Sequence, residues 1–226
     1  MSESERTGSV REWLRGLEVF AGPLPEFDPA NAPGEPVELF LWWLAEAVEA
    51  GVPEPHAMTL STVDALGEPN ARMLILKNVD AVEGWQFAAH AGSPKGRQLA
   101  DRPSAALTFY WPGQGRQVRV RGAVAPESAE RSATDYLARS DTARAEALLG
   151  CQSRHLSSLE ERDLGVKESL ARIEREPGLV AECWTLYTLV PTEIEFWQAD
   201  ASRIHTRVRY ERDEPDSIWQ QHLLWP

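Results

Sequence analysis

The chain has 226 residues, 42% hydrophobic and 26% charged, the balance of a globular protein with room for a substantial core. Its formal net charge of −12 repels nucleic acid and anionic membrane surfaces, so any anion site must be a local cluster of Lys and Arg. The two cysteines, Cys151 and Cys183, make no disulfide framework, and neither a signal-peptide core nor an apolar run of membrane-spanning length occurs, so the expected setting is the cytoplasm.

Residues 1–35 read as an extended or disordered tail, because Ala21–Pro36 carries five prolines among small and acidic residues. Pro36 opens a helix in which Phe40, Trp43, Leu44, Ala47 and Val48 recur at i, i+3, i+4, i+7 and i+8, and Gly51 ends it. Leu39 and Trp42 widen that stripe, as in a helix covered on more than one side. From Ala57 the period becomes two. Ala57–Val63 and Ala71–Lys77 flank the turn Asp64-Ala-Leu-Gly67, and Gly84–Ala89, Ala105–Trp111 and Gln117–Val124 follow as short strands. Between them Gly92-Ser93-Pro94-Lys95 starts a short helix to about Asp101. Helical pattern dominates from Ser128 to about Arg175, with Tyr136, Leu137, Leu148, Leu149, Leu159, Leu164, Leu170 and Ile173 as burial candidates. Strands return at Glu182–Val190, Glu193–Gln198 and Arg207–Arg212. This order predicts an α+β domain over 36–226, a small antiparallel β-barrel with helices around it, rather than βαβ units.

Four places suit the binding of an anion. Ser93 as N-cap and Pro94 as first helical residue leave free N–H groups at a helix start, beside Lys95 and Arg97. In Arg116–Arg121, Gln117, Arg119 and Arg121 share a face; the two arginines suit a solvated face, and Gln117 suits a pocket equally well. Arg72 and Lys77 bracket a strand but differ in parity, so either the strand bends or they touch different parts of a large ligand. In Trp197–Arg207, an extended backbone would align Arg203, His205 and Arg207 on one face, and such a group calls for a compensating anion. The five histidines, His56, His90, His155, His205 and His222, lack metal-ligand spacing, so no metal is expected.

Six runs together resemble the pyridoxine/pyridoxamine 5′-phosphate oxidase family: Glu54–Lys77, Gly92-Ser-Pro-Lys-Gly-Arg-Gln-Leu99, Arg116-Gln-Val-Arg-Val120, Cys151-Gln-Ser153, Glu195-Phe-Trp-Gln198 and Arg203-Ile-His-Thr-Arg207. They follow the family's order and spacing across residues 36–226. The resemblance implies an FMN-binding split barrel, a homodimer with two flavin sites at the subunit interface, and a small aromatic, phosphorylated substrate. It assigns Arg72, Lys95, Gln152 and Ser153 to the flavin phosphate and ribityl chain. It sets the backbone of Arg72, Met73, Leu74, Ile75, Leu76 and Lys77 along the cofactor, with Ala88, Ala89, Gln117, Trp197 and Arg207 around it. Lys77, Tyr136 and Arg139 would meet the substrate phosphate, while Arg203, Ile204 and His205 close over the substrate ring, with Arg203 and His205 as the catalytic pair. The implied reaction is hydride transfer from substrate C4′ to the flavin, with oxygen as final acceptor.

The sequence departs from the family at Pro94, at Ala138-Arg139-Ser140-Asp141, at Arg144, at Trp184-Thr-Leu-Tyr187 and at Leu223-Leu-Trp-Pro226. These changes fall mostly on the substrate side. The run His90–Arg97 is also similar to the flavin oxidases of phenazine biosynthesis, whereas Lys77 favours a phosphorylated vitamin B6 substrate. A non-catalytic flavin- or haem-binding split barrel is the third reading, against which Arg203 and His205 stand.

Overall fold

The structure is a computed structural model and describes residues 9–20 and 22–226. Among the described residues, nine antiparallel strands form one curled sheet, with strand order β2-β1-β5-β6-β7-β4-β3, β8 added on β7 and β9 on β8. They are β1 (Ala57–Val63), β2 (Pro69–Ile75), β3 (Asn78–Asp80), β4 (Gly84–His90), β5 (Ser104–Trp111), β6 (Arg116–Pro126), β7 (Trp184–Gln198), β8 (Thr206–Glu211) and β9 (Gln220–Leu223). The expected α+β barrel with surrounding helices is the fold found.

The two strands expected at Glu182–Val190 and Glu193–Gln198 are one strand, and it splits the sheet. Residues Trp184–Leu189 of β7 pair with β4, while Glu193–Gln198 pair with β8. The switch occurs at a bulge: Arg121 pairs with Glu193 but Gly122 pairs with Pro191, which leaves Thr192 over. Proline lacks a ladder donor and is tolerated at such a bulge. Gly122 is obligatory there, since a Cβ would lie 2.0 Å from the Val190 carbonyl oxygen.

Helix α2 (Pro36–Glu49) closes the barrel. Leu39, Phe40, Trp43 and Ala47 are fully buried, with Phe40 against Trp85 (4.4 Å between ring centroids) and Phe109 (4.9 Å), and Trp43 against Phe196 (5.2 Å). Trp42 and Val48, expected on the covered side, are exposed; the Trp42 indole donates to Glu46 Oε1 instead. The helical stretch from Ser128 divides at two serine-capped starts into α4 (Ala129–Leu137), α5 (Asp141–Leu148) and α6 (Leu159–Arg175). Leu137, Leu159 and Leu164 are exposed rather than buried, because these helices cover only the barrel's rim.

Of the expected tail 1–35, residues 1–8 and 21 lie outside the described residues, and the rest carries structure of its own. Ser9 and Glu12 form a capping box for α1 (Val10–Arg15), Phe27 packs on Trp43 at 5.1 Å, and the Tyr210 hydroxyl donates to the Pro33 carbonyl at 2.7 Å. The prolines extend the chain, and the extended chain then binds the barrel.

Candidate active site

Beyond β4 the chain turns into α3 (Pro94–Asp101), whose N-cap Ser93 accepts from the Gly96 N–H. Gly96 allows that turn to close, since a Cβ there would lie 2.2 Å from the Ala91 carbonyl oxygen. Lys95 is consequently pressed inward, only 8% exposed, and its Nζ donates to Gln152 Oε1 at 2.7 Å. Arg72 approaches from β2, its Nη1 donating to Thr62 Oγ1 at 2.7 Å and to the Leu60 carbonyl at 3.2 Å. Burial lowers the pKa of Lys95, the charge of Arg72 lowers it further, and Glu146 opposes both. Burial also lowers the pKa of Arg72. Two cations drawn from solvent and repelling each other suit the binding of an anion.

A second cationic group adjoins the first. The strand ends at Ile75 and the chain crosses to β4, where the Lys77 N–H donates to the Gln86 carbonyl at 2.7 Å. This bend resolves the parity problem: Arg72 joins Lys95, whereas Lys77 Nζ lies 3.4 Å from Asp135 Oδ1. The Trp184 indole donates to the other Asp135 oxygen at 2.8 Å, and the Arg139 guanidinium lies 3.9 Å from the Trp184 ring centroid. Arg139 Nη1 is buried without a partner. Burial lowers its pKa, while Glu146 and Asp135 raise it, so Glu146 acts on both cation groups.

The opposite face of the sheet carries a row in register: Tyr110, Gln117, Trp197 and Arg207 on β5 to β8. Arg207 donates to Glu195 Oε1 through Nε (3.0 Å) and Nη2 (2.8 Å), and to the Trp225 carbonyl through Nη1 (2.7 Å). Past Gln198 the chain is a turn rather than an extended strand. Arg203 sits at φ +70°, so Arg203, His205 and Arg207 do not share the face that an extended backbone would give them. The His205 ring lies 4.7 Å from Trp197 and 5.9 Å from Phe20, and Arg203 lies over Phe20 at 5.8 Å; Ile204 is exposed.

The sequence matches the family description "Pyridoxamine 5′-phosphate oxidase" over residues 44–167 and "Pyridoxine 5′-phosphate oxidase C-terminal dimerisation region" over 184–226. It is 42% identical to the pyridoxine/pyridoxamine 5′-phosphate oxidase of Pseudomonas putida (strain GB-1) over 199 residues, 87% of this chain and 91% of that one. The chain belongs to the pyridoxine/pyridoxamine 5′-phosphate oxidase family. The relative from Rhodopseudomonas palustris (strain BisA53) is 38% identical, over 87% of this chain and 92% of its own length. Among solved structures, PhzG from Burkholderia lata 383 in complex with tetrahydrophenazine-1-carboxylic acid matches with a TM-score of 0.82 and 31% identity, over 91% of this chain and all of that one. A pyridoxamine 5′-phosphate oxidase-related, FMN-binding protein from Nostoc punctiforme shares the fold, with a TM-score of 0.64 at 18% identity.

Family members are FMN-dependent oxidases, and the residues present fit that cofactor: Arg72 and Lys95 form a cationic cradle closed by Gln152, with Ser153 beside it at φ +68°. Met73 and Ile75 are exposed on the outer side of edge strand β2, while Leu76 is buried and Leu74 half-buried. Ala88 and Ala89 point to opposite faces of β4; Ala89 belongs to the core, so only its backbone is free to adjoin a ligand. Tyr136 is fully buried, and its hydroxyl donates to the Arg144 carbonyl at 2.8 Å. Arg144, in turn, is drawn inward to the Leu179 carbonyl at 3.1 Å. Sequence reasoning missed Asp135, Glu195 and Phe20; an acidic residue one turn from an expected cation was the signal available for Asp135. Among the described residues no cluster of His, Cys, Asp and Glu is suited to a metal, and no helix is long and apolar enough to cross a membrane.

Proposed function

We propose that this enzyme oxidises pyridoxine or pyridoxamine 5′-phosphate to pyridoxal 5′-phosphate with oxygen as acceptor, using FMN at the interface of a homodimer. The supporting observation is the presence of two cation groups, Lys95 on Gln152 beside Arg72, and Lys77 on Asp135 beside Arg139 stacked on Trp184, with Glu146 acting on one member of each, Lys95 and Arg139. One suits a cofactor phosphate and the other a substrate phosphate.

Bound FMN supplies the two-electron chemistry, and the chain supplies orientation and electrostatics. Arg72, Lys95, Gln152 and Ser153 hold the cofactor phosphate. Lys77 exchanges Asp135 for the substrate phosphate, and Arg139 adds its unpartnered Nη1. Arg203 and His205, with Ile204 between them, cover the substrate ring and exclude water. Gln117, Trp197 and Arg207 flank the flavin. Within one protomer these last residues lie on the face of the sheet opposite Arg72, which shares the side of its partner Leu60. A ligand that meets both sets is best served by a second copy, in keeping with the dimerisation region matched at 184–226. The proposed location is the cytoplasm, and the free thiols Cys151 and Cys183 accord with it.

A second reading, a tailoring oxidase of an aromatic carboxylate, is supported by the bonds that engage the Tyr136 hydroxyl and the Arg144 guanidinium within the chain and by the likeness to the PhzG complex. The deciding experiment is anaerobic single-turnover flavin reduction, with peroxide release in air, using each B6 phosphate and tetrahydrophenazine-1-carboxylic acid. Arg203→Ala and His205→Ala are expected to keep their flavin and lose reduction rate. No reduction by either B6 phosphate would sink the leading reading.

A further inference from the structure

The turn between β7 and β8 converges on one residue that neither cation group contains. Asp200 Oδ1 accepts from the Ser202 N–H at 2.7 Å and also from the Ser202 hydroxyl. The Asp200 carbonyl accepts from the Arg203 N–H at 3.0 Å. The Asp200 N–H donates to His205 Nδ1 at 3.1 Å. Side chain, carbonyl and amide of a single residue therefore close the segment from 200 to 205.

Two consequences follow for the residues on display. Arg203 occupies the left-handed region at φ +70°, which a non-glycine side chain occupies only when its surroundings hold it there. The Asp200 carbonyl provides that hold. His205 receives a backbone N–H at Nδ1, so Nδ1 must present a lone pair, and the neutral ring carries its proton on Nε2. The Trp197 and Phe20 rings restrain the imidazole, at 4.7 and 5.9 Å between centroids. The ring is thereby fixed in both orientation and tautomer. It offers one N–H donor to an oxygen acceptor on the substrate. Ser202 lowers the pKa of the exposed Asp200 carboxyl, so the turn stays closed across the neutral range.

We propose that Asp200 is a positioning residue, which locks His205 as the Nε2–H tautomer and sets Arg203 beside it. The inference rests on the reading that Arg203 and His205 meet the substrate. It acts through the turn, so its effect is on alignment and not on cofactor affinity.

The test uses the FMN-loaded full-length protein with 15N-labelled histidine. Long-range 1H–15N correlation of the ring nitrogens is recorded, and the His205 signals are identified by their loss in His205→Ala. The expected pattern is one protonated and one bare nitrogen, with the proton on Nε2. Asp200→Ala keeps the main-chain N–H and carbonyl but removes the carboxylate that closes the turn on Ser202, so the loosened turn should give tautomer-averaged shifts and about tenfold lower kcat at unchanged flavin content. Asp200→Asn, which retains an Oδ1 acceptor for Ser202, should restore the pattern and bring kcat within about twofold of wild type. A wild-type His205 protonated at Nδ1, or an Asp200→Ala variant with wild-type kcat, overturns the inference. So does equal impairment of Asp200→Ala and Asp200→Asn. If the tautomer pattern holds but His205→Ala turns over normally, the substrate-contact reading itself fails, and the catalytic role of Asp200 fails with it.

Discussion

Lys95 Nζ and Gln152 Oε1 meet at 2.7 Å although 57 residues separate them. The bond draws the loop after α5 onto the start of α3, and so completes a cradle that neither segment forms alone. Lys95→Ala should weaken FMN binding by about 10- to 150-fold, equivalent to about 1.5–3 kcal/mol for a charge-assisted contact. Gln152→Ala should cost less than about tenfold, since the phosphate keeps its cations. Titration followed by flavin fluorescence measures both, and equal losses would contradict the assignment.

Arg207 and Glu195 predict a mixed phenotype. Arg207 ties the buried Glu195 to the C-terminal Trp225 carbonyl, so Arg207→Ala leaves the Glu195 carboxylate, among the described residues, with the longer contact to Arg119 at 3.5 Å. The variant should lose about 2 kcal/mol of stability, and its FMN occupancy should fall as the C-terminal segment loosens. Urea unfolding and flavin absorbance per subunit give the two readings. Full stability with full occupancy would show that the pair is idle.

Arg116 is the most deeply buried arginine under α2, 1% exposed, bonded to Glu46 and, at 2.9 Å, to Gln198 Oε1, with its guanidinium 4.4 Å from the Trp43 ring centroid. Arg116→Ala should destabilise by about 2–4 kcal/mol, because it removes a fully buried side chain packed on Trp43 and leaves the buried Gln198 Oε1 without its donor. Arg116→Lys should not restore the loss, since a point charge does not reproduce both bonds and the stacking. Chemical denaturation at fixed protein concentration decides it.

Tyr210 makes stability depend on alkaline pH. Burial, with a smaller contribution from Glu35, raises its pKa from 10 to about 12. The unfolded chain releases this proton near pH 10 while the folded protein keeps it, so the contribution is whole below pH 10 and is lost as pH rises towards 12. The loss amounts to about 2–3 kcal/mol. Tyr210→Phe should flatten this decline in a series of melting curves, at a cost of about 1 kcal/mol near neutrality for the bond to Pro33. An unchanged alkaline slope would remove Tyr210 as its source.

The sequence by itself determined the α+β class, the helix Pro36–Glu49 and most strand positions, because burial of one face imposes period 3.6 or 2 on the residues themselves. The α3 start at Ser93-Pro94-Lys95 was legible for a similarly local reason, a cap and a fixed φ. Tertiary structure alone decided that β7 runs unbroken through Pro191, since the bulge that admits the proline exists only against Gly122 of β6. It decided that the Tyr136 hydroxyl bonds to the Arg144 carbonyl, and that Lys77 pairs with Asp135. It also decided that Arg203 and His205 leave the strand register, because Asp200 bonds to both across the turn. A side chain's partner is set by whichever distant segment packs against it, and periodicity records only which side faces the core.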